Sequence, residues 1–343
     1  MAEIGVAIQG AGWVSSEHIR AYLRNPDSRI VAIGSRTKDG AAAKAREFGL
    51  DVPVYDSMEE MLARPDVDAV SICTPPDRHC EETVLAAEAG KHALIEKPAA
   101  LNPEDLRRMR DAVRRAGVRT VVSFVLRWNP AVANIKALSA DGALGEIFMV
   151  QTDYWHNGPQ ANYAHARAPR PARPRKRGIG AMLGGGCHAF DMARYLVGSD
   201  VVSVSARSWS PDGREEGDAA NTLAVVKFAS GAMGKVSACT TQWMPYNFNI
   251  DVFGTDGVVR GNRLYTKRLP GLTGFAEMET VLPDNGDVAH HPFAGEIAHF
   301  VDCVISGKES HVNLDDAVNT HEACFAADLS SERDGATIEL PLT

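Results

Sequence analysis

Between residues 4 and 127, short apolar runs alternate with helix-patterned segments, and this alternation restricts the fold more than any other feature of the chain. The runs are "IGVAIQ" (4–9), "RIVAIGS" (29–35), "VDAVSICTPP" (67–76), "HALIEKP" (92–98) and "RTVVSFVLR" (119–127). One helix is expected from Ser16 to Arg24. Two more, 38–49 and 79–90, end on glycine. A fourth, 102–117, has Asn102 as N-cap, Pro103 at its first position and Gly117 as its stop. Strands that alternate with helices in this way pair in parallel and are covered on both faces. Ligands of such sheets bind at the carboxyl ends of the strands.

The first strand runs into "GAGWVSSEH" (10–18). Gly10 and Gly12 match the first two glycines of a dinucleotide fingerprint, and Ser15 stands at the third position. The first glycine permits a tight turn. The second lets a pyrophosphate approach the backbone, with Trp13 and Val14 opening the helix whose positive end would hold it. After the second strand come Ser35 and Arg36, where an acidic residue would select an unphosphorylated ribose. A serine and a guanidinium favour NADP over NAD. Thr74, Pro75, His79, Glu96 and Lys97 lie at or just after other strand ends and are expected to line the same nucleotide. A lysine at the end of an apolar strand, followed by Pro98, is ordinarily a solvated end. Its place at a ligand-binding edge argues for a role.

After "RWNP" (127–130) and one further helix, the pattern changes. Strands are expected at 145–155, 201–209, 221–230, 234–243 and 248–255, several joined by short turns such as Ser230-Gly231, which suggests a largely antiparallel sheet. A helix at 187–198 interrupts them; helices at 292–307 and 314–330 and a strand at 336–342 follow. The fold class is therefore α/β: a Rossmann domain over residues 1–125, then an α+β domain over 126–343 with a large open sheet. The final helices are expected to pack back on the first domain. One face of the open sheet is free to join a second subunit in a homodimer or homotetramer.

The net charge of −8 argues against nucleic-acid binding. The six cysteines show neither a C-x-x-C pair nor a metal-ligand spacing, so no metal is expected and a reducing, cytoplasmic compartment is. No signal peptide or membrane span is read from the sequence. "RAPRPARPRKRG" (167–178) is a basic loop, either solvated or a flap carrying cations for substrate. His290, His291 and His299 lack partner spacing and are read as structural or surface residues.

"GAGWVSSEH", "ICTPPDRH" (72–79), "HALIEKPAA" (92–100), "GCHAFDMARYLVG" (186–198) and "LDDAVNTHEACFAADLS" (314–330), in this order and spacing, resemble the glucose–fructose oxidoreductase / inositol dehydrogenase / rhizopine-catabolism (Gfo/Idh/MocA) family over essentially the whole chain. The resemblance implies an NAD(P)-dependent oxidoreductase moving a hydride between nicotinamide and a sugar, cyclitol or related polyol. It implies that Lys97 and His188 are catalytic, and that the peptide before Pro98 is often cis. The family's aspartate four residues before the histidine is Gly184 here, so another group must take its place or the substrate differs. Asp153, His156, Asp191 and Arg127 are candidates for substrate binding, Asp191 being as readily a salt-bridge partner on its helix. Two other functions on this fold stay open: a redox-assisted glycoside-cleaving enzyme with retained NAD, and a nucleotide-sensing regulator without catalysis.

Overall fold

The structure, a computed structural model, describes residues 3–156, 179–210, 219–241, 244–283 and 291–342. The basic segment 167–178 and His290 lie outside the described residues. The chain divides into two units, Met1–Val125 with Pro292–Val318, and Leu126–His291 with Asn319–Thr343.

The first unit is built on six parallel strands: β1 (Ile4–Gln9), β2 (Ser28–Gly34), β3 (Val54–Tyr55), β4 (Ala69–Ile72), β5 (His92–Ile95) and β6 (Thr120–Val122). Their order is β3-β2-β1-β4-β5-β6. The chain reverses its direction of travel across the sheet between β1 and β4, and the crevice at such a reversal takes the ligand of a doubly wound sheet. β1 and β4 are buried throughout, as expected of strands covered on both faces. The helices are α1 (Trp13–Tyr22), α2 (Lys38–Glu47), α3 (Met58–Leu62), α4 (His79–Glu88) and α5 (Pro103–Ala116). α5 begins where Asn102 accepts a hydrogen bond from the Asp105 N–H and stops at Gly117, which takes a left-handed φ of 66°. From the C-terminal part of the chain, α8 (Phe293–Ser306) and the segment after it join this unit, and the Val122 N–H donates to the Val312 carbonyl at 2.9 Å.

The second unit contains α6 (Pro130–Ala140), α7 (Cys187–Val197) and a nine-stranded sheet. Its strands are β7 (Ile147–Trp155), β8 (Val201–Trp209), β9 (Asn221–Phe228), β10 (Met233–Cys239), β11 (Asn247–Gly254), β12 (Gly257–Arg260), β13 (Arg263–Thr266), β14 (Ala276–Glu277) and β15 (Ile338–Glu339). The order is β14-β13-β12-β11-β7-β10-β9-β8-β15, and only the β7–β10 pair is parallel. β9 and β11 alternate strictly between more and less buried residues, so one face of the sheet is a core face and the other is open. α7 packs on the core face, where the Thr152 hydroxyl donates to the Ala189 carbonyl at 2.9 Å. α9 (Leu314–Glu332) gives its first residues to the first unit and the rest to the second.

Candidate active site

In the first unit, Gly10 turns the chain from β1 to α1 with φ 115°. A Cβ there would lie 2.6 Å from the Cys73 carbonyl oxygen, so close packing and backbone conformation both demand glycine. Gly12, the N-cap of α1, is the opposite case: a Cβ would meet nothing within 4 Å. α1 has no side-chain cap and no acidic residue in its first turn, whereas α2, α3, α5 and α6 are capped by Thr37, Ser57, Asn102 and Asn129. An open glycine turn on an uncapped helix end suits an anionic pyrophosphate. Ser15, at the third fingerprint position, donates to the Gly12 carbonyl at 2.7 Å and tightens the turn. Trp13 and Val14 are half-buried in the same turn.

At the neighbouring strand ends, Ser35 is half-buried and Arg36 exposed. Thr74 is half-buried and donates to Glu82, a buried acid that the sequence did not single out; burial raises its pKa. Pro75 is exposed. Lys97 follows β5, half-buried, and its peptide bond to Pro98 is cis. The strand end is held from two sides. His79 is fully buried, and its ring nitrogens lie 2.8 Å from the Thr74 carbonyl oxygen and 2.9 Å from that of Pro98, so it fastens the end of β4 to the exit of β5. A side chain occupied in this way supports the cleft rather than lining it. Glu96 is also buried: its carboxylate accepts from the Lys97 backbone N–H at 3.1 Å and meets His18 Nε2 at 3.0 Å. Burial pulls the Glu96 carboxyl upward, but His18, the Lys97 ammonium and Ser123 outweigh it and hold it below the usual range. Burial alone would lower the His18 pKa; the Cys73 sulfur and Glu96 reverse this and raise it well above the ordinary value. His18 closes the glycine stretch, and its pairing across the unit has no signature in local sequence.

In the second unit, a π-helical turn, Met182–Gly186, leads into α7 and places His188 in the first turn, 2% exposed. The glycine run exists for packing. A Cβ on Gly185 would come within 2.2 Å of the Tyr154 ring. That ring in turn stacks on His188, with centroids 6.0 Å apart and planes 20° from parallel. His156, Tyr246 and His291 complete the cluster: His156 lies 5.8 Å from Tyr246, and His291 lies 6.1 Å from His188. The sequence reading brought His156 and His188 together but passed over Tyr154 and Tyr246 and read His291 as structural or surface; the three come from separate parts of the chain. Gly184, in the place of the family's aspartate, has its would-be Cβ 3.3 Å from Ile179.

Two expected substrate ligands have other engagements. Arg127 grips Asp191 with both arms of its guanidinium, Nε at 2.8 Å and a terminal nitrogen at 2.6 Å, and both side chains are buried. This fork ties α7 to the segment before α6. Asp153 points away from the face that carries His188. Side chains alternate along β7, so Thr152 and Tyr154 face α7 while Asp153 lies on the open face. There it accepts from Ser237 at 2.5 Å and pairs with Lys235 at 2.7 Å.

Residues 4–124 match the family described as "Oxidoreductase family, NAD-binding Rossmann fold", and residues 132–260 match "GFO/IDH/MocA C-terminal domain". Inositol 2-dehydrogenase of Rhizobium meliloti (strain 1021) is 30% identical over 305 residues, covering 88% of each chain. The chain belongs to the Gfo/Idh/MocA family of oxidoreductases. Another Gfo/Idh/MocA relative, scyllo-inositol 2-dehydrogenase (NAD(+)) of Bacillus subtilis (strain 168), is 29% identical over 98% of this chain and 96% of its own. Among solved structures, levoglucosan dehydrogenase in complex with NADH and L-sorbose superposes with a TM-score of 0.87 at 25% identity, covering 100% of both chains. This Gfo/Idh/MocA chain is thus a dehydrogenase or reductase with an NAD-binding Rossmann unit, and the open Gly12 turn on uncapped α1 fits that nucleotide. Among the described residues, no helix is long and apolar enough to cross a membrane.

Proposed function

We propose that the protein is an NAD(P)-dependent dehydrogenase acting on a secondary hydroxyl of a cyclitol, sugar or related polyol, or reducing the corresponding ketone. The observation that carries this reading is Lys97 at the carboxyl end of β5, on the same sheet edge as the glycine turn after β1, with its backbone held by Glu96. Relatives named inositol and levoglucosan dehydrogenases support the substrate class. When bound, the nicotinamide supplies hydride-accepting or hydride-donating chemistry. Gly10, Gly12, Trp13 and Val14 would hold the pyrophosphate, with Thr74 and Pro75 beside it. Lys97 donates a hydrogen bond to the reacting oxygen, and His188 takes its proton in the oxidative direction. Tyr154, neutral because burial raises its phenol, packs against the His188 ring and orients it. His156, in the same ring cluster, is a polar neighbour for substrate.

Ser35 and Arg36, with no carboxylate at the end of β2, favour NADP over NAD. The six cysteines, all free thiols, suit a cytoplasmic setting. The open sheet face suits a homodimer or homotetramer. The test is turnover on a panel of inositols, anhydrosugars and keto-sugars with each nucleotide. Retained nucleotide with no net redox turnover would favour the glycoside-cleaving alternative, and silence across the panel with tight nucleotide binding would favour a sensor.

A further inference from the structure

Beneath Lys97 the first unit buries two carboxyl groups on one hydroxyl. Ser123 Oγ lies 3.0 Å from Glu96 Oε1 and 3.1 Å from Glu296 Oε2. A serine has a single hydroxyl proton and can donate to only one of them. The other contact must run the opposite way, with a protonated carboxyl donating to Ser123 Oγ. Glu96 is the ionised member, because it already accepts from the Lys97 N–H and faces His18. Glu296 is the protonated one. It is 0% exposed, and its Oε1 has no hydrogen-bond partner among the described residues, an arrangement a carboxylate could hold only at great cost. The far end of the chain is consistent: His18 Nδ1 lies 2.8 Å from Ser71 Oγ, which Tyr22 also approaches, at 3.4 Å.

We propose that Glu296 is a positioning residue that, as a neutral acid, directs the Ser123 hydroxyl onto Glu96 and thereby fixes the backbone carrying Lys97. Glu296 O–H donates to Ser123 Oγ and Ser123 O–H to Glu96, which also accepts from the Lys97 N–H and pairs with the His18 ring. The groups facing Glu296 are His18 and Tyr22 of α1, with Cys73 against His18, and Glu96 with Lys97 beyond it at the end of β5. Burial pushes the Glu296 carboxyl up to about 8, and the neighbouring Glu96 charge adds to this against the opposing pull of His18 and Ser123. Above that value a second buried carboxylate competes for one hydroxyl, and the chain of donors breaks.

The location of the proton stands by itself, whereas its consequence for turnover rests on the proposed role of Lys97. Infrared difference spectra of the whole protein across a pH titration address the first. A protonated-carboxyl band is expected at pH 7, fading through about pH 8 and missing in Glu296→Gln. Absence of the band from the wild type, or its persistence in Glu296→Gln, would overturn the assignment whatever the enzyme acts on. Steady-state kinetics address the second. Glutamine keeps a neutral donor toward Ser123, so Glu296→Gln is expected to retain kcat within about threefold at pH 7 and to lose the alkaline decline. Glu296→Ala is expected to lower kcat at least tenfold at every pH, with little change in the KM for substrate. An unchanged alkaline limb in Glu296→Gln, or equal damage by Gln and Ala in folded protein, would reject the positioning role.

Discussion

Lys97 sits where backbone restraints converge: Glu96 takes its N–H, and His79 grips the carbonyl of Pro98. Lys97→Met keeps the stem and removes the ammonium. It is expected to abolish turnover while leaving the nucleotide dissociation constant within a few-fold, as read by fluorescence titration. His188→Asn is expected to cost ~10²–10⁴ in kcat by loss of a proton acceptor, with the acidic limb of the oxidation profile removed. If the Lys97 variant turned over at the wild-type rate, the residue would revert to a solvated strand end. Ser35→Asp sets a carboxylate where a 2′-phosphate would lie. It is expected to weaken NADP by roughly thirtyfold, about 2 kcal/mol, and to spare NAD in competition kinetics. A wild type that already prefers NAD would refute that reading. The placement of these single residues was legible because each follows an apolar strand or opens a helix. The partnership of Arg127 with Asp191 was not: the sequence leaves Asp191 open between a ligand and a salt bridge on its own helix, and nothing in it names a partner 64 residues away.

At the scale of elements, α7 approaches β7 only because Gly185 lets the Tyr154 ring lie against its backbone. Gly185→Ala drives a methyl group into that ring. It is expected to lower stability by about 1–3 kcal/mol and to reduce kcat by displacing His188; thermal melts and turnover measured together would test this. A neutral result in both would mean the stack is dispensable. α1 is linked to the end of β5 by the His18–Glu96 pair. Glu96 has a depressed pKa, so its stabilisation is present above the usual carboxylate range and lost as pH falls through the lowered value. His18 has a raised pKa, so its stabilisation is full below ~6.5 and lost as pH rises through the raised value. The melting temperature should therefore be highest at mildly acidic pH, between the usual carboxylate value and ~6.5, and fall on both sides. His18→Gln, which leaves Glu96 buried without its cation, is expected to cost about 3–5 kcal/mol and to flatten the alkaline side. Long periodic elements were readable from the chain. β3, α3, β12, β13 and β14 span only 2–5 residues each, too few for a period to register. Asp153 shows a subtler failure: sequence located its strand, but which face it occupies depends on what packs above and below.

For the molecule as a whole, the open face of the nine-stranded sheet carries a group of exposed apolar side chains. Trp209, Leu223, Val225, Met233 and Tyr265 are exposed on it, with Trp209 at 64% and Val225 at 60%. Register sets Val225 opposite Lys235, and Leu223 opposite Arg207 and Ser237, so the apolar side chains are interleaved with charge. Such a patch is expected to associate with its own copy. Val225→Glu with Met233→Glu should convert a dimer or tetramer to monomer by light scattering at micromolar concentration, and a wild-type monomer would remove the claim. The alternation along β7 then has an evolutionary consequence. Even-numbered positions such as Thr152 and Tyr154 answer to the histidine helix, and odd-numbered ones such as Gln151 and Asp153 answer to whatever meets the outer face. Two histories are written on alternate letters of one strand. Substitutions on one face leave the other untouched, but insertion of a single residue would exchange the two scripts at once.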